Sequence, residues 1–341
     1  MSGYLTPQSK EPRQPKCAWP ESTKIGSKML ICGQSTAGSP TGSMVLRSSQ
    51  NQWCLTKHSK MSTLTIITLF CALLTFASVN QTHSRSITVG SHNLHGFPAR
   101  SNYHSSCIKS YGGVWLGQEL WLSEHQLHQM NDMNCEYVTR SGMEDALSAG
   151  VLRGRPFGGV SISWSPDMNS LVVPLTNYKH KRIVAVELKT AEIPIIIMSL
   201  YMPFFNTSKR VECMQDSVDC FSMIELIMED HPNHLFIVGG DLNCELKGDS
   251  PFDPLWTDFI VKRRLTSCDN FFSSPGYTYH HDSLGHRKFN DHFIVSKELC
   301  DNNMLLNHQI VDAGENTSDH LPIMMSLTDK FFCLKHKRSA L

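Results

Sequence analysis

The feature of the sequence that most constrains the fold is a series of short apolar runs that recur between residues 87 and 327. Runs of this length and composition, bounded by Gly, Pro, Asn, Asp or Ser, are typical of β-strands. The predicted strands are ITVGSHN (87–93), GVWLGQE (113–119), GGVSISW (158–164), SLVVPL (170–175), IVAVEL (183–188), PIIIMSLY (194–201), HLFIVGGDLN (234–243), YTYHH (277–281), FNDHFIVS (289–296) and LPIMMSL (321–327). Many strands and few helices in mixed order predict two mixed β-sheets flanked by helices, a four-layer α/β sandwich over residues 86–329.

Two segments between the strands predict helices. Apolar residues recur near the helical period in residues 209–230, which indicates an amphipathic helix. These residues are Val211, Met214, Val218, Phe221, Met223, Ile224 and Ile227. The apolar residues Trp256, Phe259, Ile260 and Leu265 predict a second, shorter helix.

The segments outside this region differ in composition. Residues 1–60 are rich in Ser, Gln, Lys, Pro and Gly without apolar periodicity, so we expect a disordered polar region. Residues 61–79 form an apolar run of a length that spans a bilayer, and a chain beginning at Met61 would resemble a signal peptide. The alternatives for this run are a fortuitous apolar segment or a spurious extension. Residues 330–341 are predicted to be a basic tail.

Charge is distributed unevenly along the chain. Residues 1–60 carry eight Lys or Arg against two Asp or Glu, about +6, whereas residues 87–328 carry 18 against 28, about −10. Such an acidic domain would meet a nucleic acid through local basic spots and bound metal. The candidate spots are KHKR (179–182), expected as a solvated hairpin turn, KRR (262–264) and HRK (286–288).

The cysteines and glycosylation sequons bear on the compartment. Twelve cysteines are scattered without a CxxC pair, and seven of them lie in residues 87–328, which is typical of a reduced intracellular protein. A glycan on the sequon at Asn316 would crowd Asp319, which argues against secretion. We therefore expect a nuclear or cytoplasmic location, with membrane anchoring through residues 61–79 as the alternative.

Polar residues with acid–base or oxygen-donor side chains stand at the ends of the predicted strands. Asn93, Glu119, Tyr201, Asp241 and Asn243 close predicted strands, whereas Asp291 sits inside FNDHFIVS and Asp319 and His320 come just before the last strand. Sites in layered α/β domains are assembled from strand ends and the loops that follow them. An oxygen-lined cavity of this kind suits Mg²⁺ or Mn²⁺, which would stabilise negative charge developing on a phosphate.

Eight motifs in fixed order resemble those of the endonuclease/exonuclease/phosphatase superfamily. They are SHNLHGF (91–97), LGQELWL (116–122), GRPFGGVSISW (154–164), SLYMPF (199–204), IVGGDLNCEL (237–246), YTYHH (277–281), FNDHFIVS (289–296) and TSDHLPI (317–323). The stretches GRPFGG and QELWL are most similar to the endonuclease domains of non-LTR (LINE-type) retrotransposons. The resemblance implies a DNase I-like fold and a metal-dependent phosphodiesterase that nicks DNA.

The resemblance also implies which residues bind the metal. Glu119 resembles the main metal ligand, Asn93 a residue that positions the metal and its water, and Asp319 a second carboxylate near the metal. The implied ion is Mg²⁺ or Mn²⁺. His95 stands where DNA-repair members of the superfamily carry an acid that could hold a second metal, which argues against a two-metal mechanism.

The remaining motif residues resemble catalytic and substrate-binding groups. His320 resembles the residue that contacts the scissile phosphate or acts as general acid or base, and Asp291 resembles the carboxylate that orients it. Asp241 resembles the group that activates or positions the attacking water. Asn243 and Tyr201 resemble phosphate-contacting residues. Arg287 and Lys288, in the HRK segment, are predicted to contact nucleic acid.

Two other functions remain open at the level of sequence. One is a phosphatase or phospholipase of the same superfamily that acts on an inositol lipid or sphingomyelin, which the acidic domain and the apolar run favour. The other is a non-enzymatic retrotransposon relic, because LINE-type proteins continue into a reverse transcriptase and this sequence contains none. No obligate protein partner is implied.

Overall fold

A computed structural model describes residues 86–143, 155–272 and 276–328. The predicted disordered region 1–60, apolar run 61–79 and basic tail 330–341 lie outside these ranges. Within the described ranges, no helix combines the length and the hydrophobicity required to cross a bilayer.

The described ranges contain fourteen strands and four α-helices. In chain order the strands are β1 (Ile87–Asn93), β2 (Val114–Gln118), β3 (Glu136–Arg140), β4 (Val160–Trp164), β5 (Val172–Pro174), β6 (Ile183–Leu188), β7 (Ile195–Tyr201), β8 (Leu235–Asp241), β9 (Leu265–Ser267), β10 (Tyr279–His281), β11 (His286–Lys288), β12 (Asp291–Ser296), β13 (Leu305–Ile310) and β14 (Ile323–Leu327). The helices are α1 (Phe97–Tyr111), α2 (Arg210–Asp230), α3 (Asp253–Lys262) and α4 (Lys297–Asp301). Short 3₁₀ helices occupy Glu124–Met133, Pro166–Met168, Thr207–Lys209 and Asp269–Phe271.

Twelve of these strands form two six-stranded sheets. The first sheet has the order β13-β14-β1-β2-β4-β3, and the second has the order β5-β6-β7-β8-β12-β9. Each sheet is mixed, because β1 pairs with β2 and β7 pairs with β8 in parallel, whereas their other pairs are antiparallel. Strands β10 and β11 form a separate antiparallel hairpin.

Alternating side chains of the strands face two different hydrophobic cores. On β7, Ile195 and Ile197 join the core between the sheets, whereas Ile196 and Met198 join a second core with α2 and α3. A strand buried on both faces has no polar alternation, which explains the continuous apolar run PIIIMSLY. A third core lies between the first sheet and α1, where Trp115 is fully buried. These three cores separate four layers, and the predicted four-layer α/β sandwich is confirmed.

The predicted helices are confirmed, with corrections to their buried faces. The helix predicted at 209–230 is α2, and the shorter helix is α3. Val211 and Val218 were expected on the apolar face of α2 but are 82% and 48% exposed. The buried face is instead built partly from small residues, including Cys213, Ser217 and Cys220. These residues are only weakly hydrophobic, so the apolar pattern of the sequence predicted the wrong buried face for α2.

Helices α1 and α4 and strands β3, β9, β11 and β13 were not predicted from the sequence. Leu265, expected in the shorter helix, lies beyond the end of α3 and begins β9. The buried residues of α1 include His104 and Cys107 as well as Phe97 and Ile108, so its apolar stripe is short. The helix is bounded by glycines, Gly96 before it and Gly112 after it. Strand β13 is largely exposed at the edge of its sheet, with only Ile310 buried, and therefore lacks an apolar run.

Candidate active site

The ends of three neighbouring strands place three of the predicted residues in one row. Tyr201 at the end of β7 pairs with Asp241 at the end of β8. Asp241 in turn pairs with Asp291, the first residue of the antiparallel β12. Gly240 precedes Asp241 with a φ of 142°, and a Cβ there would collide with the backbone of Leu200. Glycine therefore allows β8 to approach β7 closely next to this row of side chains.

Asn93 connects this row to the other sheet. It is fully buried at the end of β1. Its Nδ2 donates hydrogen bonds to Oε1 of Glu119 at 3.0 Å and to Oδ2 of Asp241 at 2.9 Å. Its Oδ1 accepts from the backbone N–H of His95 at 3.0 Å. Asn93 thus bridges two carboxylates that come from different sheets, and it does so through its amide nitrogen.

Glu119 is held on its other side by two aromatic residues. The indole Nε1 of Trp121 donates to Oε2 of Glu119 at 3.1 Å. Tyr201 is also hydrogen-bonded to Glu119, and burial together with the charges of Glu119 and Asp241 raises the pKa of Tyr201 above its usual range. The Tyr201 phenol therefore stays protonated and can donate.

The backbone at the site is in a rarely populated conformation. Nine non-glycine residues of the described ranges have positive φ. Four of them surround this cluster, namely His95, Glu119, Trp121 and Asn243, with φ between 48° and 52°. Such residues cost stability and concentrate at functional sites, where the surrounding structure holds them in place.

His320 lies against Asp291 and close to Asp241. Its Nδ1 is 2.7 Å from Oδ2 of Asp291, and its Nε2 is 3.9 Å from Oδ2 of Asp241. The loop before it is fixed by two side chains: Oγ of Ser318 donates to the carbonyl of Asn93 at 2.7 Å, and Nδ2 of Asn316 donates to the carbonyl of His320 at 2.6 Å. The predicted pairing of Asp291 with His320 is thus present in the geometry.

Burial and charge give His320 and Asp241 different protonation states. Burial lowers the pKa of His320, but the charge and hydrogen bond of Asp291 and the charge of Asp241 outweigh it and raise this pKa to about 10. Burial raises the pKa of Asp241, helped by Asp291 and Glu119 and opposed by His320, to about 7. At neutral pH His320 is therefore an imidazolium, and Asp241 can accept a proton.

Asp319 contacts His95 at the rim of the site. Nδ1 of His95 is 2.9 Å from Oδ1 of Asp319, and the His95 ring lies 4.4 Å from the ring of Trp121, centroid to centroid. Partial burial raises the pKa of Asp319, but His95 and His320 outweigh this and lower it. His95 is a rim residue, with 36% of its side chain exposed. His92, three positions before it, is fully buried and packs against Tyr103 and His104.

The donor set fits a divalent cation of the Mg²⁺ type. Asn93 links the carboxylates of Glu119 and Asp241, and His320 contacts those of Asp291 and Asp241. Asp319 contacts His95 at the rim. No group of three or more His, Cys, Asp or Glu side chains within the described ranges converges as a ready-made metal cage. Mg²⁺ needs only one or two protein carboxylates, since it keeps several of its waters. The half-buried Glu119 carboxylate suits this role best.

The predicted substrate-binding residues lie on the hairpin β10–β11. Lys288 lines a cleft of about 370 Å³ that also includes Asn243. Arg287 packs its guanidinium carbon 4.7 Å from the ring centroid of Tyr277. Asn243 itself donates from Nδ2 to the carbonyl of Met202 at 2.9 Å and from its backbone N–H to Oδ1 of Asp241 at 2.8 Å. Lys288 is therefore beside the predicted site, whereas Arg287 is turned to the side of the hairpin where Tyr277 packs.

Several residues of the site were not identified from the sequence. Trp121 lies two positions after Glu119 in QELWL, so its spacing was the available signal. Tyr279, in YTYHH, packs its ring 5.0 Å from the His320 ring, centroid to centroid. Asn316 precedes the SDH motif, Ser318 is its first residue, and both set the conformation of the loop. Polar loop residues of this kind become visible only when their hydrogen-bond partners are known.

Comparison with solved structures shows a shared fold. The 3′ phosphatase NExo from Neisseria, bound to a product DNA hairpin, is 15% identical and superposes with a TM-score of 0.53 over 71% of this chain and 99% of its own. The endonuclease domain of TRAS1, a telomere-specific non-LTR retrotransposon, is 14% identical, with a TM-score of 0.51 over 72% of this chain and 99% of its own. An AP endonuclease from Archaeoglobus fulgidus is 13% identical, with a TM-score of 0.52 over 71% and 99%. No protein-family model and no curated protein matches the sequence.

Proposed function

We propose that the chain is a metal-dependent phosphodiesterase, an endonuclease that nicks DNA. The observation that carries this proposal is the set of contacts that joins Asn93, Glu119, Asp241, Asp291 and His320 across the edges of both sheets. Within it, a cationic histidine and a proton-accepting carboxylate face each other. That combination suits attack of water on a phosphate diester.

In the proposed reaction Asp241 acts as the general base. It accepts a proton from a water molecule whose oxygen forms the new bond to phosphorus, and the bond to the leaving oxygen breaks with its electron pair. The imidazolium of His320, held by Asp291, hydrogen-bonds to an oxygen of the phosphate through Nε2 and stabilises the added negative charge. The high pKa of His320 favours this role over that of a base, two roles between which the sequence left the choice open.

Other side chains would position the substrate and the cofactor. Tyr201 and Asn243 are the proposed phosphate-contacting groups. Glu119 would hold a bound Mg²⁺ or Mn²⁺, with Asn93 and Asp319 as the other proposed positioning groups. Such an ion supplies Lewis-acid stabilisation of the leaving oxygen when bound. Because Asn93 turns its nitrogen to Glu119 and Asp241, its proposed contribution is to fix these carboxylates.

DNA is the proposed substrate, and a LINE-type retrotransposon is the proposed origin. The motifs QELWL and GRPFGG and the fold shared with the TRAS1 endonuclease domain support this proposal. Lys288, on the exposed hairpin beside Asn243, is the proposed contact to the DNA backbone. Such a nuclease would act in the nucleus or cytoplasm, the location that the scattered cysteines favour.

The test is nicking of supercoiled plasmid by the full-length chain with Mg²⁺ or Mn²⁺. We expect nicking that EDTA abolishes and that Glu119→Gln reduces at least about 100-fold, the scale on which loss of transition-state stabilisation appears. Glu124→Gln, an exposed carboxylate in the neighbouring 3₁₀ helix, is the matched control and should retain activity. Absence of nicking by the wild-type chain, or full activity of Glu119→Gln, would refute the proposal.

The acidic balance of residues 87–328 favours a second candidate function. It is hydrolysis of a smaller phosphoester, such as an inositol phosphate or a phospholipid headgroup, whose binding needs less positive surface than DNA. A phosphate-release screen with these compounds separates the two functions. Inactivity in both assays would favour the third possibility, a retrotransposon relic that retains the fold.

A further inference from the structure

A cleft of about 530 Å³ opens directly beside Glu119 and Tyr201. Its walls come from the loop before β4, the loop after β7 and the first turn of α2. Glu119 and Tyr201 belong both to the candidate active site and to the lining of this cleft. A polymer whose phosphate is held between Glu119 and His320 therefore has a neighbouring segment beside the cleft.

Two phenylalanines on the walls of the cleft expose their rings. Phe157, in the loop before β4, is 56% exposed, and Phe204, in the loop after β7, is 69% exposed. Neither belongs to any of the three cores of the described residues. Covering an exposed aromatic ring with the flat face of a ligand removes apolar surface from water and therefore favours binding.

Trp121 and Arg155 add a stacked pair to the same cleft. The guanidinium carbon of Arg155 lies 3.7 Å from the ring centroid of Trp121, which is a cation–π contact. Lys181, Arg182 and Lys209 also line the cleft. The cleft thus carries four cationic side chains against three carboxylates, those of Glu119, Glu212 and Asp216, in a domain whose balance is about −10.

Cations that follow a backbone, combined with aromatic rings on which bases stack, are the usual means of binding single-stranded nucleic acid. A paired base in a duplex is already stacked on both faces and cannot cover a protein ring. We propose that this cleft binds unpaired nucleotides of the DNA strand next to the scissile phosphate, stacked on Phe157 and Phe204. This inference rests on the proposed function and deepens it, because it names a strand with unpaired bases beside the cut as the preferred substrate.

The test separates binding from catalysis. Fluorescence anisotropy in EDTA measures the affinity of the full-length chain for a labelled single-stranded DNA of mixed sequence and for the same sequence as a blunt duplex. We expect the Phe157→Ala/Phe204→Ala double variant to lose about 5- to 100-fold in single-strand affinity, the range for removing base stacking. Its duplex affinity should change less than about twofold.

Two further variants make the outcome specific. Phe271→Ala removes a ring that is 52% exposed and does not line the cleft, so it should bind both DNAs like the wild type. Phe204→Trp keeps a stacking ring and should retain single-strand affinity. Equal losses for single strand and duplex, or no loss in the double variant, would overturn the inference.

The same design distinguishes the two proposals from each other. If the wild-type chain does not nick plasmid, the nuclease proposal is refuted. The anisotropy measurements still test, by themselves, whether the cleft binds single-stranded DNA. A wild-type chain that nicks plasmid, with a double variant of unchanged single-strand affinity, refutes only the cleft proposal. A cleavage assay measures the substrate preference directly. We expect the wild-type chain to cleave a duplex with a short single-stranded gap beside the labelled site faster than the intact duplex.

Discussion

Oδ2 of Asp291 lies 2.7 Å from Nδ1 of His320, and both residues are almost completely buried. Asp291 is the first residue of β12, and His320 follows a loop that Asn316 and Ser318 fix. The contact orients the ring so that Nε2 faces Asp241. It also keeps the ring cationic, since Asp291 is the strongest of the charges that raise the pKa of His320.

Removing the charge of Asp291 should therefore change the pH dependence as well as the rate. In Asp291→Asn we expect hydrolysis to fall by about 100-fold or more. From the pKa of His320, about 10, we expect the alkaline limb of the wild-type pH–rate profile near pH 10. In Asp291→Asn this limb should move to lower pH, because the imidazolium loses its main partner. Initial rates on a labelled oligonucleotide between pH 6 and pH 10.5 provide the measurement. A reduced rate with an unmoved alkaline limb would contradict this account.

The raised pKa of Asp241 predicts the acid limb of the same profile. A general base must be deprotonated, so activity should rise with pH through a value near 7 and reach a plateau below pH 10. Asp241→Asn cannot accept the proton and should lack this limb, leaving a low rate that no longer depends on pH in that range. An acid limb that persists in Asp241→Asn would assign it to another group.

Trp121 should tune the metal affinity through its hydrogen bond to Glu119. Trp121→Phe keeps a ring for the contacts with Arg155 and His95 but loses the indole N–H. Loss of a hydrogen bond to a metal-binding carboxylate typically weakens metal binding by about 10- to 100-fold. Calorimetric titration with Mn²⁺ measures the effect. Trp164→Phe, which loses an indole hydrogen bond to Asn169 away from the site, should bind Mn²⁺ like the wild type.

Lys288 should contribute to DNA binding through charge alone. In Lys288→Ala the affinity for duplex DNA should fall by a similar factor for every sequence. The slope of log affinity against log salt concentration should decrease by about 1. Lys262→Ala removes an exposed lysine on α3 that pairs with Glu225, and its slope should match the wild type. An unchanged slope in Lys288→Ala would show that the hairpin does not meet the backbone.

A second buried histidine pair should contribute to stability. Nδ1 of His292 lies 2.9 Å from Oδ1 of Asp269, and Nε2 lies 2.8 Å from the carbonyl of Cys244. Burial lowers the pKa of His292, but Asp269 outweighs it and raises this pKa above 6.5. Burial raises the pKa of Asp269, but His292 outweighs it and lowers this pKa below 3.8. The contribution of the pair is therefore fully present between about pH 4 and pH 6.5, and it is lost as pH rises through the folded pKa of His292.

His292→Gln should consequently lower the free energy of unfolding by about 3 kcal/mol at pH 5.5, the lower range for breaking a buried pair. The loss should be smaller at pH 9, because the wild-type histidine gives up its proton as pH rises through its folded pKa. Urea denaturation at the two pH values makes the comparison. His286→Gln, at an exposed position of the hairpin, should be neutral at both. An equal loss at both pH values would indicate a packing effect without a charge contribution.

The sequence by itself determined the layers of the fold and predicted most residues of the candidate site. Continuous apolar runs such as PIIIMSLY can be stable only as strands buried on both faces, and this fixes two sheets covered by helices. Acid–base residues at the ends of these runs, in the order of eight motifs, identified Glu119, Asp241 and His320. The face of α2 was misplaced because Cys and Ser carry weak hydrophobic signals, and α1, β3 and β13 were missed for the same lack of pattern.

Only the tertiary structure decided how these residues act on one another. The pairing of Asp241 with Asp291 follows from strand register, which connects residues 50 positions apart. The hydrogen bond from Asn93 to Asp241 spans 148 positions and two sheets. Protonation states depend on burial and on neighbouring charges, neither of which a local pattern specifies. For that reason the cationic state of His320, the role of Trp121 and the exposed rings of Phe157 and Phe204 became apparent only in the folded chain.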